Sequence, residues 1–573
     1  MRIIPATWIG SLFTGVASVA LAAPAPDGGS PPLGVVPPAS ELSKRQSSIL
    51  PTQEGLPPAN AVTPELGKPE TDVQIDVNGY SVPDDAPPEL KAALPEITAR
   101  FIGKDRSFED LGNAAAEVTR FMQRTLGYYL GYAYIGPQKP GDGLVRISIM
   151  EGRLDHVELD WSDDLPVSRD IVEGYLSEIK PGAILTVRDV ERAVFLINDL
   201  HGISTRVEVK AGSTPGTAIL VVTPRADALW SGRVDADVNG SHYIGKERLS
   251  ATLTRESPLA RGDGLSLTLL DTHLSGLEFM LAGYNTPVGA AGWKVGASFS
   301  AMRYRLDEKD FPIGIDGDSR VSNVFALYPW VRSRNLNLFM VMSADHKAYI
   351  DRTGGIATDK DIDDFSPGIT GDFRDAVATG GVNSFALNYM RGHLRFPGGV
   401  PSGLDDASNF GKLSYSFTRL QNLVDNRLLA YASVHGQFAF QNLDTTEQFR
   451  AGGPDDVRAF AFGEGVGDSG VVGTLELRML PSEAMAGRFA SEIVTAAFID
   501  AASVQLRHDP NVVTRSADYV NRAGYSGAGV SLVWSRPNAF TVRASLAKPI
   551  HGRPTSSGPE GSARLYAQGS WFF

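Results

Sequence analysis

The sequence predicts a transmembrane β-barrel of sixteen antiparallel strands, preceded by two small domains of the α+β class. Three observations support this fold class: an N-terminus typical of exported proteins, an internal repeat of helices and strands, and a long C-terminal region in which apolar and polar residues alternate. The predicted division of the chain is a signal peptide at 1–22, a proline-rich linker at 23–70, one α+β domain at 71–151, a second at 152–226, and the barrel at 227–573.

The composition excludes several classes of function. The chain has 573 residues, with 53 Lys and Arg against 66 Asp and Glu, which gives a net charge of −13. A nucleic-acid-binding protein needs a basic surface, so we expect no nucleic-acid partner. Because the sequence contains no Cys, disulfide scaffolds, thiol catalysis and cysteine-ligated metal sites are excluded. After residue 22 every long apolar stretch is interrupted by polar residues, which excludes helical membrane spans.

The first 70 residues predict an exported chain that begins with a tether. Arg2 supplies a positive charge, residues 9–21 are apolar and uncharged, and Ala22 ends a small-x-small pattern that predicts signal cleavage. Residues 24–70 contain eleven prolines, which predicts an extended, semi-rigid linker. Residues 40–50 are the helical candidate in this linker, and an isolated helix of that length is marginally stable, so it would have to dock against something.

Residues 71–226 contain two copies of one pattern, which predicts two related domains. Ser107 and Thr186 are each followed three positions later by an aspartate, the spacing of a helix N-cap, and each of the two helices ends at a glycine. Shorter helices are predicted before them at 88–101 and 168–178, and strands at 73–77, 128–135, 144–150, 157–161, 203–209 and 218–222. The order β-α-α-β-β therefore occurs twice and predicts a small sheet with two helices on one face.

From residue 229 onward, the residues alternate with the period of a β-strand, as in the segment WKVGASFSA at 293–301. A soluble β-sandwich would also alternate. The signal peptide and the length of the segments favour a membrane barrel, whose strands must close because every backbone group in a bilayer has to be paired. We count sixteen segments, the least regular at 362–374. An even number places both ends of the barrel on the periplasmic side, where the two repeats lie.

The last strand of the barrel ends on aromatic residues. Trp571 and Phe573 close an alternating segment, and a terminal aromatic residue of this kind is what outer-membrane proteins present to their assembly machinery. We therefore expect two partners for the barrel, which are the outer-membrane bilayer and, during biogenesis, the barrel-assembly machinery.

The sequence contains no pattern that supports catalysis or a cofactor. It has no phosphate-binding GxxxxGK[ST] motif and no HExxH zinc motif, and its nine histidines are scattered. The segment GDSG at 467–470 resembles the nucleophile segment of serine proteases, but no His and Asp partners are indicated for it. A glycine-rich loop that enters a strand explains the same residues. We therefore expect a protein that is not an enzyme, with no catalytic residues, no cofactor and no metal.

One group of residues indicates a specific site inside the barrel. The connection 442–472, between the eleventh and twelfth strands, is the longest in the second half of the barrel. Its central residues are Val457, Arg458 and Phe460. On a later strand Phe498 and Asp500 share one face, and if that face is lumenal, a loop folded inward would pair Arg458 with Asp500. The alternative is a solvated extracellular loop and an unrelated lumenal aspartate.

These features together resemble the two-partner secretion transporters of the TpsB class, the haemolysin and filamentous-haemagglutinin secretion/activation proteins of the ShlB/FhaC/HecB type. The resemblance covers nearly the whole mature chain. The family pattern in the long loop is Val-Arg-Gly-aromatic, and the segment VRAF at 457–460 matches it except that Ala459, with less backbone freedom, replaces the glycine. Phe498 and Asp500 match the partner strand of the family.

The resemblance implies an outer-membrane transporter that binds a large unfolded exoprotein of the TpsA type in the periplasm and secretes it through the barrel. It implies that the two repeats are POTRA domains that bind this client, that Arg458 and Asp500 hold the loop in the lumen, and that the segment 40–50 plugs the pore. Two alternatives stay open. A general barrel-assembly factor shares the fold but usually carries three or more POTRA repeats, and a diffusion or uptake channel would explain neither the repeats nor the loop.

Overall fold

The computed structural model describes residues 74–139, 141–273, 276–399, 408–424, 427–510, 520–552 and 561–573. The predicted signal peptide with Ala22, the proline-rich linker and its candidate helix at 40–50 lie outside the described residues. The chain forms two compact units, and the boundary between them falls after Asp227. Within the described ranges, no helix is both long and apolar enough to cross a membrane.

The first repeat forms three small two-stranded sheets and two helices. Its elements are β1 (Gln74–Val77), β2 (Gly79–Ser81), α1 (Pro88–Thr98), β3 (Gly103–Ser107), α2 (Phe108–Arg124), β4 (Tyr132–Tyr134), β5 (Leu144–Arg146) and β6 (Ser148–Met150). Helix α2 begins where the sequence predicts, because the Ser107 hydroxyl accepts from the Asp110 backbone N–H while the Asp110 carboxylate accepts from the Ser107 N–H. The predicted order β-α-α-β-β with a single sheet is wrong for this repeat, because β2 and β3 are additional strands and the strand predicted at 144–150 divides into β5 and β6. Strand β3 shows no apolar alternation in GKDRS and forms by antiparallel pairing with β1.

The second repeat has the predicted order β-α-α-β-β. Its elements are β7 (Arg153–Leu159), α3 (Arg169–Leu176), α4 (Val187–Asn198), β8 (Ile203–Ala211) and β9 (Thr217–Ala226). The three strands form one sheet in the order β7-β9-β8, with β7 parallel to β9. The Thr186 side chain caps α4 by accepting from the Asp189 N–H, and the two helices pack against the sheet through buried apolar side chains, among them Val172, Val194, Ile197 and Leu220.

The second unit is a closed barrel of sixteen antiparallel strands, which confirms the predicted fold class. The strands before the long loop are β10 (Trp230–Asp237), β11 (Arg248–Glu256), β12 (Gly264–Thr272), β13 (Leu277–Val288), β14 (Trp293–Arg305), β15 (Ile315–Arg332), β16 (Leu336–Thr353), β17 (Ile356–Asp375), β18 (Gly381–Arg395), β19 (Asn409–Val424) and β20 (Leu428–Ala439). Two short strands lie in the loop, β21 (Phe449–Ala451) and β22 (Gly465–Gly467). The remaining strands are β23 (Ser469–Met479), β24 (Ile493–Gln505), β25 (Arg522–Arg536), β26 (Phe540–His551) and β27 (Arg564–Phe572), and a short helix α5 (Glu483–Ala486) connects β23 to β24.

Each barrel strand pairs with its neighbours in sequence, and β10 closes the barrel against β27. The eighth barrel strand, β17, was predicted to be the least regular, yet it is 20 residues long. Along β12 the leucines at 265, 267 and 269 are exposed on the outer wall, whereas Thr268 and Thr272 are buried on the inner one. On β12 the alternation therefore places leucines toward lipid and mainly polar side chains toward the lumen. Leu270 is an exception on the inner face, where it joins a buried apolar cluster with Phe279 and Met302.

Candidate functional site

The long connection between β20 and β23 is folded into the lumen of the barrel. Residues 440–468 form a hairpin in which β21 pairs with β22, and the tip of the loop, residues 452–464, connects these two strands. The side chains of Phe449, Val457 and Phe460 are fully buried, although these residues belong to a connecting loop and not to the strands of the barrel wall. They pack against inward-facing wall residues such as Phe498 and Val504. The loop is therefore packed inside the barrel and is not the solvated extracellular loop of the alternative hypothesis.

Arg458 at the tip of the loop binds Asp500 on β24. The guanidinium donates from Nε to Asp500 Oδ2 (2.9 Å) and from Nη2 to Asp500 Oδ1 (2.7 Å), and the backbone N–H of Arg458 donates to Oδ2 (3.1 Å). The hydroxyl of Thr474, on the neighbouring strand β23, donates to Oδ1 at 2.9 Å. Asp500 is 0 % exposed, so four donors compensate the burial of one carboxylate.

A second carboxylate and a second arginine lie beside the pair of Arg458 and Asp500. Glu476 on β23 accepts from Arg458 Nη1 at 2.6 Å and from Arg478 Nε at 2.7 Å. Neither Glu476 nor Thr474 is predicted from the sequence as a site residue. Burial by itself would lower the pKa of the Arg458 guanidinium, but the hydrogen bonds and charges of Asp500 and Glu476 raise it. The Arg458 side chain is therefore a positive charge held between two carboxylates on adjacent strands.

Aromatic residues surround this ion cluster. The guanidinium of Arg458 stacks on the ring of Phe498, with Cζ 3.3 Å from the ring centroid. Phe460 packs edge-to-face against Tyr525 with ring centroids 5.1 Å apart, and its carbonyl accepts from the Tyr566 hydroxyl at 2.7 Å. The four predicted residues Arg458, Phe460, Phe498 and Asp500 thus lie in one cluster, and Val457 contributes to the apolar packing next to it.

Ala459, the departure from the family pattern, introduces no backbone strain. Five non-glycine residues in the described chain have positive φ, and Ala459 is not among them. The loop does need glycine elsewhere, because Gly452 and Gly453 have φ of 107° and 123°, which a side chain would disfavour.

The terminal aromatic residues take different positions. Trp571 lies on β27 and is half exposed on the outer wall. Phe573 follows the last residue of β27. Its backbone N–H donates to the carbonyl of Gly232 on β10 at 3.0 Å, and its carbonyl accepts from the Gly232 N–H at 2.8 Å. The last residue of the chain therefore extends the seam at which the barrel closes.

Comparison with known proteins gives two family matches and several relatives. The model of the haemolysin secretion/activation protein family ShlB/FhaC/HecB matches residues 216–511, and the model of the ShlB-type POTRA domain matches residues 86–152. The heme/hemopexin transporter protein HuxB of Haemophilus influenzae strain 86-028NP is 23% identical over 495 residues, which cover 85% of this chain and 84% of HuxB.

Solved structures agree with the fold. CdiB from Escherichia coli superposes with a TM-score of 0.66 at 19% identity and covers 89% of this chain and 93% of its own. CdiB from Acinetobacter baumannii gives a TM-score of 0.60 at 14% identity, with 93% of this chain and 96% of its own covered. The family match spans more than half of the sequence, including the loop with Arg458 and the strand with Asp500. This chain belongs to the ShlB/FhaC/HecB family of haemolysin secretion/activation proteins.

Proposed function

We propose that Arg458 closes a secretion pore by holding the long loop in the lumen. The chain is an outer-membrane transporter of the two-partner secretion type, with its POTRA domains in the periplasm, and it secretes a large exoprotein partner. One observation carries the proposal: the cluster of Arg458 with Asp500 and Glu476, which we name the tip anchor, joins the loop to the barrel wall. Arg478 on β23 balances the second carboxylate. Release of the tip anchor would free the lumen for an unfolded client.

The wall beside the tip suits the passage of a polypeptide. A cavity of about 260 Å³ lies next to Arg458, and its lining combines charged side chains, such as Asp455, Arg478 and Arg543, with hydroxyl side chains, such as Ser416, Thr418, Ser433, Ser531 and Ser545. Hydroxyl groups can form hydrogen bonds with an extended polypeptide without binding it tightly, because each new hydrogen bond replaces one that the hydroxyl made with water. We propose transport, and not catalysis, as the function of this lumen.

We further propose the domain division predicted above, with POTRA domains at 71–151 and 152–226, the barrel at 227–573, and a plug helix at 40–50. The sheet of the second repeat offers β7 and β8 as its edges. An extended client could add to such an edge as a further strand, with main-chain hydrogen bonds supplying the affinity. Folding of the client outside the cell would then bias the direction of transport.

We also propose that the seam between β10 and β27 is completed by the barrel-assembly machinery, which would bind the strand that ends on Trp571 and Phe573. The two backbone hydrogen bonds between Phe573 and Gly232 support this proposal, because the terminal residue is part of the closing pair of strands.

The function is tested by comparing secreted and outer-membrane proteins in cells with and without this gene. Loss of one large protein from the medium, with the other barrels unchanged, is the expected result and identifies the client. A broad fall in other barrels would favour an assembly factor, and no change in either fraction would favour a diffusion channel. R458Q tests the tip anchor: with normal barrel levels, unchanged secretion and unchanged pore conductance would contradict it.

A further inference from the structure

Three lysines on the barrel wall meet the base of the loop, which precedes the tip with Arg458 in the sequence. Lys347 on β16 and Lys412 on β19 bind the two oxygens of Glu447 at 2.7 and 2.8 Å. Lys360 on β17 lies 3.4 Å from Asp444. We name this group, Asp444 and Glu447 with their three lysines, the base anchor. It joins the start of the loop to β16, β17 and β19, whereas Arg458 binds carboxylates on β23 and β24.

The base anchor is buried and well compensated. Lys347 is 1 % exposed and has a second partner, Asp364 on β17, at 2.8 Å. Burial by itself would raise the pKa of Glu447, but the charges of Lys347 and Lys412 lower it, so this carboxylate is ionised. Main-chain contacts add to the ion pairs, because Lys412 Nζ and Gln437 Nε2 both donate to the Glu447 carbonyl, at 2.8 and 3.0 Å.

Asp468 fixes the returning end of the loop. Its carboxylate is fully buried and accepts from Gln448 Nε2 (2.6 Å), from the Leu443 N–H (3.2 Å) and from the His508 N–H (2.8 Å). These contacts bind the two ends of the loop to each other. The GDSG segment at 467–470 therefore has a structural role at the base of the loop.

Glycines with positive φ lie at both ends of the tip. Gly452 and Gly453 lie on one side of the tip, with φ of 107° and 123°, and Gly463 lies on the other, with φ of 75°. Glycine changes its backbone angles at little steric cost, so these positions suit a hinge. The ion pairs of the two anchors use different strands, β16, β17 and β19 for the base and β23 and β24 for the tip, and they share no residue. Strand β20 contacts both parts of the loop, because Gln437 binds the Glu447 carbonyl and His435 pairs with Asp456 in the tip at 2.8 Å.

We propose that the base anchor is an independent positioning site, and that during secretion the tip swings out about Gly452, Gly453 and Gly463 while the base stays bound to the wall. This inference rests on the proposed function, since it takes the loop as the element that closes the pore. Its consequence is that the loop is never fully released. A tethered tip returns to Asp500 quickly after the client has passed, because its effective concentration near the site stays high.

The absence of cysteine from the chain allows a direct test on the full-length protein in whole cells. T445C reports on the base and A461C on the tip, and each is labelled with a maleimide carried on a large polyethylene glycol that cannot cross the outer membrane. Each probe is combined with R458Q, E447Q or no further change. A matched control is D363N, which removes an exposed carboxylate on β17 that pairs with His346 and Arg395 and does not contact the loop.

We expect R458Q to raise labelling of A461C about tenfold or more and to leave T445C unchanged, because a lost buried ion pair favours the open tip by at least that factor. We expect E447Q to raise labelling of T445C and to change A461C by less than about twofold, as for independent sites. If E447Q exposes both probes equally, the loop moves as one body and the hinge is wrong. If E447Q exposes neither, the base is not an anchor.

The test separates this inference from the tip anchor. Failure of R458Q to expose A461C would contradict the tip anchor of the proposed function, whereas the base anchor is judged by T445C alone. If E447Q fails to reach the outer membrane, K412Q replaces it, because Lys347 then still compensates Glu447. K412Q with unchanged labelling of T445C would likewise overturn the base anchor.

Discussion

The methyl group of Ala459 fills the space that a side chain at Gly527 would need. A Cβ built on Gly527 would overlap the Cβ of Ala459 and would lie 3.1 Å from the carbonyl oxygen of Lys548. Gly527 on β25 pairs directly with Asp500, the partner of Arg458. The barrel wall therefore has no side chain at the point where the tip of the loop packs against it. The methyl group of Ala459 occupies the space left by the missing side chain of Gly527.

The first prediction follows from this match. G527A should displace the tip, because overpacking of a close contact costs about 1–3 kcal/mol, and should raise the open probability of the pore in planar lipid bilayers. The double variant A459G/G527A removes the methyl group on the loop and should restore most of the closed state. Equal conductance of G527A and the unchanged protein would show that the tip tolerates a shift here.

The second prediction ranks the two carboxylates of the tip anchor. D500N should open the pore more often than E476Q, because Asp500 accepts three hydrogen bonds from Arg458 whereas Glu476 accepts one. Removing one partner of a buried ion pair costs about 3–5 kcal/mol. We expect a smaller cost for E476Q, because Glu476 forms fewer hydrogen bonds with Arg458 than Asp500 does. Single-channel recording of both variants measures the order, and D363N serves as a control. The reverse order would place the main contact on β23.

The sequence predicts the Arg458–Asp500 contact but not its surroundings. Phe498 and Asp500 alternate with apolar residues on one strand, so their common face can be deduced, and the resemblance of the loop to a known family supplies the partner. Glu476 and Arg478 show the same alternation on β23. Charged residues face the lumen on many strands of a barrel, however, so alternation alone does not indicate which of them the loop reaches.

The base anchor could not be predicted for a different reason. Lys347 and Glu447 are 100 positions apart in the sequence, and they meet because the loop folds back across the barrel. Local patterns determine strand period, helix caps and turns, and they predicted the sixteen strands and the caps at Ser107 and Thr186. The depth to which a loop enters the lumen depends on packing against many strands at once, which no local pattern records.

The third prediction concerns the end of the chain. Deletion of Phe573 removes both backbone hydrogen bonds with Gly232, whereas F573A retains them and loses only the ring, which lies against Gly232. We expect the amount of folded barrel in the outer membrane, measured by heat-dependent mobility on gels, to fall most for the deletion and less for F573A. L565A, an exposed lipid-facing change on the same strand, is the control. Equal levels for all variants would exclude Phe573 from assembly.

The fourth prediction concerns pH and the second repeat. Tyr175 on α3 is 3 % exposed, and its burial, with a smaller contribution from the charge of Asp199, raises its pKa from 10.0 to about 12. The unfolded state loses the phenol proton at a lower pH than the folded state does. The stability due to the neutral phenol is therefore complete below pH 10 and is lost as the pH rises from 10 to 12.

Between pH 9 and pH 11 this effect should lower the free energy of unfolding of the second repeat by about 1 kcal/mol. Y175F cannot ionise and should reduce the pH dependence by that amount, while lysine deprotonation affects both proteins alike. Trp161 packs against the same apolar cluster as Tyr175, so its fluorescence during urea unfolding reports on this repeat. Subtracting the signal of W161F removes the tryptophans of the barrel. Equal pH slopes for Y175F and the unchanged protein would mean that Tyr175 titrates in the folded state as it does in the unfolded one, and that the packing of α3 against the sheet is loose enough to admit water.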